Sequence, residues 1–223
     1  MGCDIHIFAE KKVHNNWVKI GNVFPNSYYD PNECVSEYNS ELTDSPYQGR
    51  NYDLFSVLAD VRNGRGFAGV KTGEGFVPIS APKGLPEDIS QEVKVLSDDW
   101  GDDGHSHSFF TLEELQSYDW NQITVRQGVI TYNEFDKLKT DSNSQPSSWC
   151  GWISGNRVVV LEEDEISPEK IQELTLSGKE IYVLYRWVSS YKQCCLSFYE
   201  KTLPYLQNLG SSQEVRIVFW FDN

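Results

Sequence analysis

Three short stretches of this chain bring together residue types that do chemistry. Asp4-Ile-His6 sets a carboxylate beside an imidazole, a pair in which the acid orients the ring and stabilises its charged form. His105-Ser-His107 follows Asp98, Asp99, Asp102 and Asp103, and histidines at i, i+2 point the same way on an extended segment. Two such rings bind a metal, grip a phosphate or pass a proton near neutral pH. Arg62-Asn-Gly-Arg65-Gly-Phe-Ala-Gly69, with Lys71 beyond it, is the most basic stretch of an acidic chain. Its glycines free backbone amides to cradle an anion, and arginines grip phosphate bidentately. A blander role stands beside each: a wet polar strand face, solvated or capping loop histidines, and a flexible connection whose arginines pair with nearby acids.

Taken as one site, these segments predict His6, oriented by Asp4, and His105 or His107 as general base and acid. Arg62, Arg65, Lys71 and the backbone at Gly64 and Gly66 would hold phosphate. Asn51, Tyr52 and Trp100 complete the expected ligand set, the two rings stacking on bases. No cofactor is required, although Asp4, His6, His105 and His107 would also suit a divalent metal such as zinc, manganese or iron. GRGFAG lacks the Gly-Lys-Ser/Thr ending of a P-loop and follows a helix rather than a strand, which argues against a nucleotide-triphosphate fold. Trp149-Cys150-Gly151-Trp152 is an aromatic turn suited to walling a pocket, though packing is its simpler role. Cys3 falls on an apolar face and reads as core.

The 223 residues carry a net charge of −14, from 33 acids against 19 bases. Such a field repels phosphate backbones, so general DNA or RNA binding is not expected, whereas a small anion in a local basic pocket is compatible. Scattered acids also leave room for an acidic inhibitor of a host protein. The five cysteines form no CxxC pair, and no segment approaches the ~18 apolar residues of a membrane span. A cytoplasmic protein with reduced thiols is expected.

The positioning elements follow from periodicity. Residues 3–9 alternate, placing Asp4, His6, Phe8 and Glu10 on one face, with Asp4 and His6 roughly 7 Å apart. His14-Asn15-Asn16 turns into a strand at Trp17–Ile20. A long polar loop covers 22–49, and an acidic, histidine-bearing loop covers 98–108. Helices are expected at Tyr52–Arg62, Gln91–Trp100, from the Thr111–Glu114 capping box to Tyr118, at Glu169–Leu176 behind Ser167-Pro168, and at Tyr191–Leu209, kinked at Pro204. Val158–Leu161, Ile181–Val188 and Val215–Phe221 read as strands. The prediction is one α+β domain over 1–223, whose mainly antiparallel sheet comes from both chain ends, with the helical, loop-rich centre packed on one face.

MGCDIH at the start, GRNYDLFSVLADVRNGRGFAG at 49–69, GLPEDIS at 84–90, GHSHS at 104–108, YDW at 118–120 and WCGW at 149–152 together resemble a widespread family of small proteins. Its members are encoded mostly by bacteriophages and by bacterial genomes carrying prophages. The likeness spans roughly the first two-thirds of the chain. It implies phage origin and a bacterial host cytoplasm, and carries no activity of its own. By analogy of context and pocket chemistry, the expectation is a phosphodiesterase-like hydrolase of a small cyclic or modified nucleotide, such as a bacterial immune signal. The alternatives are a non-catalytic sponge for that nucleotide, a metal-dependent hydrolase, or the acidic inhibitor. A homodimer sharing the pocket is compatible with each.

Overall fold

The computed structural model describes residues 2–222, apart from 35, 37, 38 and 141–143. The N-terminal alternation forms β1 (Asp4–Val13), which turns through His14 and Asn15 into β2 (Asn16–Lys19). Both turn residues have positive φ, 48° and 66°, the backbone whose twist suits a tight antiparallel hairpin. Within the long loop, β3 (Phe24–Pro25) pairs with β4 (Leu42–Thr43). Amide side chains tie the rest, with Asn26 and Asn39 donating to the carbonyls of Ser40 and Asp30.

Helix α1 (Tyr52–Ala59) stops short of the expected Arg62, because Asp60 takes a left-handed conformation (φ 59°) and donates its N–H back to Phe55 and Ser56. Helix α2 (Gln91–Asp98), capped by Ser90, likewise ends before Trp100. The expected loop at 98–108 is only partly loop, since β5 (His105–Thr111) begins inside it. The Thr111/Glu114 capping box then opens α3 (Leu112–Ser117) as predicted. Strand β6 (Ile123–Thr131) and helix α4 (Tyr132–Leu138) were not expected; Arg126 and Gly128 interrupt the apolar signal of that strand. Next come β7 (Val158–Glu162), α5 (Pro168–Leu176) and β8 (Glu180–Ser190). The expected helix Tyr191–Leu209 divides into α6 (Tyr191–Cys194), a π-helical turn at Phe198–Thr202 and α7 (Leu203–Gln207). Pro204 sits in the first turn of α7, where no N–H is needed. The chain closes with β9 (Val215–Asp222).

The fold is α+β, and its main sheet is antiparallel in the order β2-β1-β9-β5. Both chain ends build it, with β9 in the interior and buried along nearly its whole length. The central region covers both faces rather than one. Ile7, Phe219 and Phe221 pack against Leu54, Phe55 and Leu58 of α1. On the other face, Val218 and Trp220 pack against Val93 of α2, with Phe8 and Leu96 alongside. A face with apolar residues on both sides cannot stay wet, which is why β9 reads as a continuous hydrophobic run.

The second sheet, β6-β8-β7, is mixed, with β7 parallel to β8. The glycine-rich segment runs along β6, where Glu74 donates to the Val125 carbonyl at 2.9 Å and Gln127 to the Thr72 carbonyl at 2.8 Å. Gly73 is required at this seam. A Cβ there would lie 2.4 Å from the Val125 oxygen, and only glycine permits that approach. Among the described residues, no helix is long and apolar enough to cross a membrane.

Candidate functional site

The start of β1, the end of β9 and the start of β5 meet at one end of the main sheet, which brings the Asp4–His6 and His105–His107 segments near each other. Their side chains do not converge as expected. His6 stands opposite Trp220 in the β1–β9 register, with its ring 5.9 Å from that indole and 4.0 Å from Trp100. Its Nε2 lies 3.3 Å from an oxygen of Asp222, within ion-pair distance but out of line for a hydrogen bond. Asp4 does not orient His6. Its carboxylate is taken by Arg50 in a two-pronged pair, with Nε to Oδ1 at 2.6 Å. The hydrogen bonds from Arg50 hold the Asp4 carboxyl below its usual range. Asp222 fills the place predicted for Asp4, and it also accepts the Asp4 backbone N–H at 3.0 Å.

His105 and His107 point to opposite faces. A β-bulge between His105 and Ser108 inserts one residue, and Ser106 takes a positive φ of 52°. The extra residue breaks the period of two. His105 therefore stacks on Phe221 at 6.0 Å, and His107 on Trp220 at 5.8 Å. His6 and His107 flank Trp220 from two strands away, about 10 Å apart by sheet spacing. The three imidazoles thus surround no common point. Among the described residues, no three His, Cys, Asp or Glu side chains gather where they could hold a metal ion, so Asp4, His6, His105 and His107 are not a ligand set.

Burial first, and the neighbouring His105 second, lower the pKa of His107 from its ordinary 6.5. The unfolded chain then takes up that proton before the folded one does. Stability is expected to fall as pH drops below 6.5. Denaturant unfolding of wild type and His107→Gln between neutral pH and about pH 5 checks this, the variant showing the shallower decline.

The glycine-arginine loop spends the amides expected for an anion. Arg65 donates to the Arg62 carbonyl (2.8 Å), Gly66 to Val70 (2.8 Å), Gly69 to Gly66 (3.2 Å) and Thr72 to Gly64 (2.8 Å). Arg65 and Lys71 face each other across a β-bridge and are exposed. The Arg62 guanidinium lies over the Tyr52 ring at 5.1 Å. The loop is a folded hairpin rather than an open cradle, and Trp100 belongs to the His6 cluster.

Part of the predicted ligand set instead lines a cleft of about 370 Å3 at the N-terminus of α1. Asn51, Tyr52 and Gly66 are joined there by Arg50, Asp53, Thr72, Arg126 and Trp149. Arg62, Arg65, Gly64, Lys71 and Trp100 do not line it. Asn51 caps α1, accepting from the N–H of Asp53 (2.9 Å) and Leu54 (3.4 Å), and donates to the Cys194 carbonyl (2.8 Å). Arg126 is buried. It pairs with the Asp53 carboxylate and contacts Cys194 Sγ at 3.3 Å. Burial pushes the Asp53 carboxyl up, and the Arg126 charge opposes that shift.

The Trp149 ring stands 5.0 Å from the Arg126 guanidinium and 5.5 Å from Trp187. It leans on Gly128, where a Cβ would lie 2.5 Å from the ring. The aromatic turn therefore does wall a pocket, with its tryptophan seated by a missing side chain on β6. Arg50, Arg126, Asp53 and Asp222 are the site residues that sequence reasoning missed. A lone arginine among the strand-formers of 123–131 was the available signal for Arg126.

Comparisons with protein-family models, curated proteins and solved structures match nothing to this chain.

Proposed function

We propose that the cleft at the start of α1 captures a small nucleotide-like anion and holds it without cutting it. The observation that carries this reading is the convergence of Arg126, Arg50, Tyr52 and Trp149 on one cavity at a helix N-terminus. Guanidinium groups grip phosphate, and the tryptophan face offers a platform for a base. Stacking contributes roughly 1–3 kcal/mol per base, and a hydrogen bond to a charged group roughly 1.5–3 kcal/mol.

Capture is favoured over hydrolysis by what the cleft contains. Among the described residues no histidine lines it, and its one carboxylate, Asp53, is committed to Arg126. A general acid and base must lie within hydrogen-bond reach of the reacting group, and His6, His105 and His107 are distributed over two sheet faces around Trp220 and Phe221. The net charge of −14 disfavours long nucleic acids and leaves the local arginines to select a small ligand. The resemblance to phage proteins supplies a setting, a bacterial cytoplasm in which sequestering a nucleotide signal would blunt a host response.

Calorimetric titration of the protein with AMP, cyclic AMP and inorganic phosphate tests the reading. A nucleotide is expected to bind at one site per chain, more tightly than phosphate alone. Arg50→Ala is expected to weaken binding roughly tenfold or more, the loss of one charge-assisted contact. Absence of nucleotide binding would remove the proposal.

A further inference from the structure

A second cavity, of about 520 Å3, adjoins the cleft, and among the described residues Arg50 alone lines both. On the far side of Arg50 lie Tyr28, Tyr47, Gln48 and Asp4. Each cavity falls in the size range of a small-molecule site. Each also carries its own aromatic residues, Trp149 and Tyr52 in the first and Tyr28 and Tyr47 in the second.

Tyr28 is 71% exposed, and its hydroxyl donates to the Gln48 carbonyl at 2.7 Å. The ring is thus fixed at its polar end while remaining accessible. The Asp4 carboxylate, which lines the second cavity, occupies the forked edge of the Arg50 guanidinium. A phosphodiester presents a similar pair of oxygens to the same fork.

Building on the capture reading, we infer that the preferred ligand is a dinucleotide. One base lies against Trp149, the second against Tyr28, and the bridging phosphate replaces Asp4 on Arg50. The sequence aromatic–arginine–aromatic across two joined cavities matches base–phosphate–base, and a mononucleotide would leave the larger cavity unused.

The test compares AMP, the linear dinucleotide ApA and cyclic di-AMP on wild type, Tyr28→Ala and Trp149→Ala. At least one dinucleotide is expected to bind roughly fivefold or more tightly than AMP, the contribution of one added stacked base. Tyr28→Ala should erase that advantage and leave AMP affinity unchanged. Trp149→Ala should weaken every ligand. Which dinucleotide gains decides between the linear and cyclic forms. The dinucleotide inference fails if both bind no better than AMP, or if the advantage survives Tyr28→Ala. If AMP does not bind, or binds equally well to Trp149→Ala, the capture reading falls and this inference falls with it.

Discussion

Replacing Arg216 with alanine is expected to lower the unfolding free energy by roughly 3–5 kcal/mol, the cost of leaving a buried charge without its partner. Arg216 is 3% exposed and Glu10 is fully buried, and Arg216 Nε meets Glu10 Oε2 at 2.6 Å. The rest of the guanidinium holds Asp88, through its carboxylate at 2.6 Å and its carbonyl at 3.1 Å, and lies 4.0 Å from the Trp17 ring. With arginine gone, Glu10 keeps one described hydrogen bond, the Ser90 N–H at 2.8 Å.

For a chain of this length each kilocalorie shifts Tm by about 2–4 °C, so thermal unfolding reads the change directly. The double variant Glu10→Leu/Arg216→Met separates charge from packing. Removing both partners is expected to restore most of the loss, because an apolar pair of similar size replaces a buried ion pair at little net cost. A single variant as stable as wild type would show that the pair contributes nothing to the fold.

Trp149→Ala is expected to weaken nucleotide binding roughly fivefold to 150-fold, the equivalent of losing about 1–3 kcal/mol of stacking. The substitution leaves Arg50 on the rim of the cleft, so the guanidinium proposed to meet the anion survives while the platform disappears. Trp149 is 38% exposed, which limits the damage to folding, and the unfolding midpoint measured alongside identifies any general collapse. Inorganic phosphate separates the roles further. Its affinity should change little in Trp149→Ala and should fall in Arg50→Ala. Equal losses for nucleotide and phosphate in both variants would argue against a stacked base.

The frame of the molecule was legible because periodicity and caps report local physics. The alternation at 3–9 and the Thr111/Glu114 capping box needed no tertiary information, and Val215–Phe221 announced a buried strand by its unbroken apolar run. Asp60 ended α1 early through a left-handed turn that a non-glycine residue does not advertise. The site was harder to read because it depends on register. Ser106 was one residue too many for the β9 partner, and that single bulge turned His105 and His107 to opposite faces. Asp4 and His6 share a face, yet Arg50, 46 positions away in sequence, claims the acid. Sequence spacing placed the Asp4–His6 and His105–His107 segments without revealing which charges pair across them.

The glycine-arginine loop shows the same limit. Gly64 and Gly66 are glycines in a basic stretch, as an anion cradle requires, but in the hairpin they allow, Gly66 donates its amide to Val70 and Gly64 accepts from Thr72. The capture proposal gives the anion-binding role instead to residues around the α1 cleft, Arg50 a residue before the α1 cap and Arg126 on a strand that carried little periodic signal. Trp149 was visible as an aromatic turn, and its function as a wall depends on Gly128, which only the β6 backbone reveals.

The most direct test of capture without cleavage is to identify what the protein returns. Purified protein is incubated with AMP, ApA and cyclic di-AMP, denatured, and the released small molecules are resolved by chromatography. Capture predicts that the bound nucleotide is recovered intact, in an amount matching the protein, after prolonged incubation. Conversion of a nucleotide to cleaved products by wild type, lost in His6→Ala or His107→Ala, would contradict it and return the histidines to the centre of the chemistry.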